Sequence, residues 1–340
     1  MSAVVVRFLL VRLLVAIPVV LGIVFFTFML IRIGHQDPVN MLAGPMADAK
    51  MLEQIRRELD LDRPLFEQFI TYVGRLLQGD LGKSWQGSKP VLDEILAHLP
   101  ITLELVVLAV GLGALIGIPI GLRAAFNPNG WFDQITRFGA LTGFSIPTYW
   151  LGLMAILLFF YLLRWAPPPM GRLGLEFATP GTITGSTFLD SLLVGNWRAA
   201  GSAFQQLILP VACFTLVAAA PVIKQTRAIA IEIMGSDYIR QARASGVSHR
   251  MLRKIALRNA LVPVITFLGT EITSMLAAAS LIEFIFAWGG LGQWGLNAIL
   301  QGDFAVVQGY VLTLALASVV IFLIVDLAVL VLEPRTHRRA

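Results

Sequence analysis

Six stretches of this 340-residue chain, each 17 to 26 residues long, carry one charged side chain or none. A hydrocarbon layer is about 30 Å thick and a helix rises 1.5 Å per residue, so about 20 apolar residues cross it. Inside a bilayer every backbone polar group needs an internal partner, which makes each such run a helix. The composition agrees: 57% of residues are apolar, 14% are charged and mean hydropathy is +0.77, more apolar surface than a water-soluble domain of this size can bury. The expected fold class is an all-α integral membrane protein with about six transmembrane helices.

The first run, Leu13 to Ile31, follows Arg7 and Arg12 and is closed by Arg32. Its length and the absence of a small-x-small cleavage site mark a retained span and not a signal peptide. Ile101 to Leu122 carries Glu104 near its outer end and spaces Gly113, Gly117 and Gly121 four apart, a pattern that lets a second helix come close. Phe138 to Leu163 has no charge and contains Pro147, which predicts a kink. Leu207 to Ile223 is bracketed by Pro210 and Pro221, Leu261 to Ile282 is interrupted by Glu271, and Ala305 to Val325 runs clean to Asp326. The chain therefore divides into a tail and first helix (1–32), an external segment (33–100), a membrane core (101–332) with a cytosolic loop at 224–260, and a short tail (333–340).

Basic residues set the sides, because short loops rich in Lys and Arg stay in the cytosol. With the amino terminus inside, the inner segments hold 15 of the 26 Lys and Arg and four acids, and the outer segments hold the other 11 with 14 acids. The loop from Lys224 to Arg258, with eight basic residues, fixes its own side, and both termini are expected in the cytosol. The net charge of +5 is thus a topological signal and gives no reason to propose nucleic-acid binding.

Several chemistries find no support. Cys213 is a single cysteine inside a span, so no disulfide within the chain and no CxxC pair can form. His35, His98, His249 and His337 are scattered over both sides and suggest no metal site. Gly82-Lys83-Ser84 imitates the end of a phosphate-binding loop, but Leu77 stands where its first glycine is needed, no buried strand precedes it, and it lies outside. ATP binding by this chain is not expected. A secondary transporter or channel would show inverted repeats or paired intramembrane charges, and an intramembrane enzyme would need a nucleophile with a base, or metal ligands, at membrane depth. Neither pattern is visible.

Outside the membrane, Met51, Leu52, Ile55 and Leu59 recur at helical spacing, as do Leu65, Phe69, Tyr72 and Leu76 after Pro64. Two short helices follow, each with an apolar side to rest on the membrane domain or a partner. Arg164 to Gln206, rich in Gly, Pro, Ser and Thr, reads as an irregular external loop with a short helix.

The inner loop carries the most information. Between Ile233 and Pro263 the sequence predicts a helix from about Asp237 to Ser245, capped by Ser236 or Asp237 and stopped by Gly246, and a second short helix from about Ser248. A cationic helix under the membrane suits either anionic lipid or a cytosolic protein that docks on it.

This loop resembles the EAA loop of ABC importer permeases, whose pattern is E-A-A, three residues, Gly, nine residues, then I-x-L-P. Aligned on Gly246, Arg240 and Gln241 stand at the E and first A positions, Ala242 and Gly246 match, and Asn259 stands at the final Pro. Asp-Tyr-Ile-Arg-x-Ala-Arg-Ala-x-Gly, from Asp237 to Gly246, and Ala-Leu-Arg-Asn-Ala-Leu-x-Pro, ending at Pro263, look more like the dipeptide, oligopeptide and nickel branch. So do Asp37-Pro38-Val39, Leu59 to Pro64, Gly79-Asp80-Leu81-Gly82-x-Ser84, Pro90-Val91, Pro100 to Leu105, and Glu283 to Gly292, where Gly289 replaces a common Pro.

The resemblance implies a type I ABC importer permease of the bacterial inner membrane that works by alternating access. It implies as partners a second, homologous permease subunit, two ABC ATPase subunits that carry ATP and Mg2+, and an extracytoplasmic solute-binding protein. This chain itself would bind no cofactor and perform no catalysis. Asp237, Tyr238, Arg240, Ala242, Arg243, Gly246, Arg258 and Asn259 are the expected contacts to an ATPase. Glu271, Glu283 and Trp288 are candidates to line the path; for Glu271, a structural hydrogen bond to the partner permease, or a helix boundary that lies elsewhere, is the more ordinary reading. Di- and oligopeptides are the expected cargo, with nickel chelates, glutathione and opines as alternatives carried by the same pattern.

Overall fold

The computed structural model describes residues 2–33, 39, 48–58 and 62–332; all regular elements among them are helices, beside one isolated bridge between Lys83 and Pro90. Asp37, Pro38, Leu59, Asp60, Leu61 and the basic tail with Arg335, Arg338 and Arg339 lie outside the described residues. Twelve helices are named here in chain order. They are α1 (Ser2–Ile33), α2 (Ala49–Glu58), α3 (Leu65–Leu77), α4 (Val91–Ala125), α5 (Trp131–Ser145), α6 (Thr148–Ala155), α7 (Thr187–Leu193), α8 (Trp197–Gly235), α9 (Asp237–Ala244), α10 (His249–Ile285), α11 (Leu291–Gln301) and α12 (Phe304–Leu332). Among the described residues, Leu10–Met29 of α1 and all of α4, α8, α10 and α12 are long and apolar enough to span a membrane.

The charge-free run around Pro147 departs from the expectation of a kinked rod. Here α5 ends at Ser145, α6 starts at Thr148 and runs on as a π-helix (Ile156–Leu162), and the two arms meet at 95°. Proline has no N–H to continue the helix, and Ile146 before it takes extended backbone (φ −77°, ψ 121°). The pair counts as a sixth crossing only if the bent arms act as one broken span.

Two compact units divide the chain: 1–97 with 295–316, and 98–294 with 317–340. In the first, α1 leaves Leu14, Val15, Val19 and Phe26 exposed, as lipid would require, and buries Val24 and Phe28. The apolar side of α3 rests on it: Phe69 lies edge-on to Phe25 and Phe28, and Tyr72 stacks on Phe28 at 5.6 Å. The loop before α4 is tied to the start of α12. Asp303 accepts hydrogen bonds from Ser84 Oγ (2.7 Å) and the Trp85 amide (2.9 Å), and Trp85 meets Phe304 edge to face.

In the second unit α4 and α8 approach closely along the glycine row. A methyl group on Gly113 would stand 3.1 Å from Ala218 Cβ, on Gly117 2.9 Å from Val222 Cγ1, and on Gly121 2.8 Å from the Ile223 carbonyl. Backbone contact of this kind is what small residues at four-residue spacing allow. Phe214, Ala218 and Val222 are fully buried on the same helix, and Ile229 packs with Ala260 and Val264 of α10. The buried carboxylate of Asp133 pairs with Arg227 and fixes the start of α5 against α8.

The helices that hold the fourth and fifth apolar runs, α8 and α10, extend well beyond them. α8 begins at Trp197, ten residues before Leu207, passes through Pro210 and Pro221, and continues to Gly235. The second helix of the inner loop is not short either: α10 runs without interruption from His249 to Ile285. Amphipathic ends outside the hydrocarbon carry charges, so a search for charge-free windows sees only the middle of each helix.

Candidate coupling surface and buried carboxylates

α9 is built by its two ends. Ser236 enters in extended backbone (φ −68°, ψ 154°), with its hydroxyl donating back to the Ile233 carbonyl at 2.6 Å, which separates α9 from α8. At the other end the Val247 amide donates to the Ala242 carbonyl and the Gly246 amide to the Arg243 carbonyl, both at 3.1 Å. With Gly246 at φ +81°, this is a Schellman stop. No neighbouring atom of the described residues lies within 4 Å of where a Gly246 side chain would start, so its backbone, not its surroundings, requires glycine.

The helix between these ends is held by adjacent residues, Tyr238 and Ile239, and is largely open elsewhere. Ile239 is completely buried. Tyr238 OH accepts from Asn259 Nδ2 at 3.0 Å, tying α9 to α10, and Asp237 pairs with Arg240. Arg240, Arg243 and Arg258 are exposed and Ala242 is half-buried. The sequence-predicted coupling residues thus share α9, the Gly246 turn and the first three turns of α10. Sequence reasoning missed Ile239, the anchor. Its signal was available, an aliphatic residue alone in an otherwise polar Asp-Tyr-Ile-Arg-Gln.

The three path candidates are buried and do not form one cluster of contacts. Glu283 is wholly inaccessible. Its Oε1 accepts from Thr102 Oγ1 (2.5 Å), its Oε2 from the Gln293 amide (2.8 Å), and Thr102 in turn accepts from the Leu291 amide (2.8 Å). This carboxylate pins the glycine loop after α10 to α4, and it offers a solute no surface. Trp288 is 2% exposed, its amide bonded to the Glu283 carbonyl. In this conformation both side chains are enclosed, with Gly290 and Gly292 lying close against the Glu283 carboxylate. Gly289 takes φ +75°, which proline cannot adopt, so the loop's course depends on the departure from the common Pro. Glu271, 6% exposed, differs in that its Oε1 meets no hydrogen-bond partner among the described residues.

The loop before α8 forms a polar knot. Ser186 Oγ donates to Glu104 at 2.5 Å, and Arg172 donates to the Gly185 carbonyl at 3.0 Å. Asp190 accepts from the amides of Ile183, Thr184 and Gly185 and from the Thr184 hydroxyl. Burial works to raise the Asp190 pKa, but these hydrogen bonds outweigh it and hold the carboxyl below its usual range. Burial lowers the Arg172 pKa, against the pull of Glu104, Asp190 and Glu283. No group of three or more His, Cys, Asp or Glu that could hold a metal ion occurs among the described residues.

Two family models match the chain. "Binding-protein-dependent transport system inner membrane component" covers residues 117–338, and the N-terminal model of such membrane components covers residues 5–106. The chain is 41% identical over 321 residues to the probable D,D-dipeptide transport system permease protein DdpB of Escherichia coli K12, covering 94% of each. It is 36% identical over 340 residues to the dipeptide transport system permease protein DppB of the same strain (98% of this chain, 99% of the relative). It is 37% identical over 331 residues to the di/tripeptide transport system permease protein DppB of Pseudomonas aeruginosa UCBPP-PA14 (96% and 98%).

Proposed function

Because the chain belongs to the binding-protein-dependent transport system inner membrane component family, a family of non-catalytic permease subunits, we propose that it forms half of an import path for di- or oligopeptides. In this reading an external binding protein delivers the peptide, a second permease supplies the other half of the path, and two ATPase subunits hold ATP and Mg2+. Relatives whose names state dipeptide or di/tripeptide transport, matching over nearly the whole chain, support the cargo class.

The observation that carries the mechanism is the joint at α9. A short, outward-facing helix is anchored through Ile239 and the Tyr238–Asn259 bond, and Ser248 then leads directly into a 37-residue helix about 55 Å long. ATP-driven closure of the ATPase pair moves α9 as a body, and α10 carries that movement across the membrane. Asp237, Tyr238, Ala242 and Gly246 shape the joint; Arg240, Arg243 and Arg258 offer it charge. The topology that goes with this puts α9 and both termini in the cytosol.

Glu271 is the path candidate whose carboxylate has an oxygen with no hydrogen-bond partner among the described residues. The amino group of a peptide or a donor from the second permease completes it. Glu271→Gln separates these: loss of transport with intact assembly supports a cargo role, and loss of assembly supports the structural one. For the coupling reading, single cysteines at Ala242 and Ser245 in the assembled transporter are expected to cross-link to an ATPase subunit. Cross-links to lipid alone reject it.

A further inference from the structure

Beside the start of α10, a pocket of about 420 Å3 opens where α4 ends and α5 begins. Two arginines from different helices line it, Arg123 near the end of α4 and Arg253 on α10, and neither forms an ion pair among the described residues. Each lies over an aromatic ring instead: Arg123 over Phe132 at 4.8 Å and Arg253 over Phe126 at 5.0 Å. A guanidinium stacked by its face keeps its N–H donors in the plane of the group, free for an acceptor at the edge. The nearest acid in sequence, Asp133, is already neutralised by Arg227. The pocket thus presents two uncompensated cations held by rings.

Most of the remaining lining is apolar or aromatic. Arg123 lies four residues after Pro119 on α4, about 6 Å along the axis, and Pro119, Leu122, Phe126 and Phe132 line the pocket beside the two cations. Trp131, also in the lining, is 71% exposed, the placement expected of an interfacial indole. Apolar and aromatic walls beside two cations at the end of a span match the glycerol and phosphate of a lipid.

We propose that this pocket is a seat for an anionic phospholipid, with the Arg123 and Arg253 guanidiniums donating to its phosphate. The side of the membrane from which the lipid comes rests on the topology given above; the seat itself does not. Bound there, the lipid joins the end of α4 to the part of α10 that leads on from the coupling helix, and composition of the inner leaflet becomes a determinant of how firmly that joint is held.

The test uses the complete transporter in nanodiscs, with lipid retention read by native mass spectrometry. The wild-type complex is expected to keep phosphatidylglycerol or cardiolipin over phosphatidylcholine, and R123A/R253A to bind the anionic lipids at least about tenfold more weakly. R137A/K254A removes the same charge outside the pocket and is expected to retain them, while R123K/R253K recovers part of the loss. Equal retention by R123A/R253A, or equal loss in R137A/K254A, overturns the seat. So does displacement of the lipid by millimolar inorganic phosphate, which makes it a free-phosphate site. A cysteine at Asn129, labelled by an impermeant reagent in intact cells or only in inverted vesicles, reports the topology separately.

Discussion

Gly246 shows how a single residue sets a local shape without touching anything. Its φ of +81° costs other L-residues roughly 1–2 kcal/mol, and the space around it is open. Gly246→Val is therefore expected to leave membrane insertion and assembly intact while changing the angle at which α9 meets α10. The measurement is transport against ATP hydrolysis in reconstituted complexes: hydrolysis persists and transport falls. Asp190 makes a pH-dependent contribution. Its folded pKa lies below the unfolded value, so the stabilisation is present above the ordinary aspartate value of about 3.9 and is lost as pH falls through the folded value. Asp190→Asn is expected to flatten that acid limb of a thermal-stability profile and lower stability at neutral pH. Thr102→Val removes a donor from the buried Glu283 carboxylate and is expected to cost about 1–3 kcal/mol, seen as a lower melting temperature of the purified complex.

Among the elements, the α4–α8 contact is the most exacting. Gly117→Leu inserts bulk where even a methyl group stands 2.9 Å from Val222, and overpacking of this kind typically costs about 1–3 kcal/mol. Reduced yield of assembled complex, with Gly111→Leu as the tolerated control, is the expected result, since Gly111 has nothing within 4 Å. The glycine row, the α3 face against α1 and the stop at Gly246 were legible in the sequence because each depends on neighbours within one or two helical turns. The 95° break at Pro147 was legible only as a kink, for proline breaks the hydrogen-bond ladder but surrounding helices choose the angle. Partners of Glu283 were invisible, as Thr102 lies 181 residues away. The full length of α8 and α10 was hidden by charged ends that read as loop.

At the scale of the whole molecule, charge asymmetry and six apolar runs told of a membrane protein, and one basic loop told of its family. The family is one of non-catalytic permease subunits, and the coupling proposed above brings work in through α9, a helix anchored at Ile239 and exposed over most of its other residues. The direct test of that claim is site-specific cross-linking from Ala242 in the assembled transporter, with and without ATP. Bonds to an ATPase subunit are expected in both nucleotide states and, with the bond locked, peptide import is expected to be abolished. Bonds to lipid alone, or full import by a transporter locked at Ala242, would contradict it.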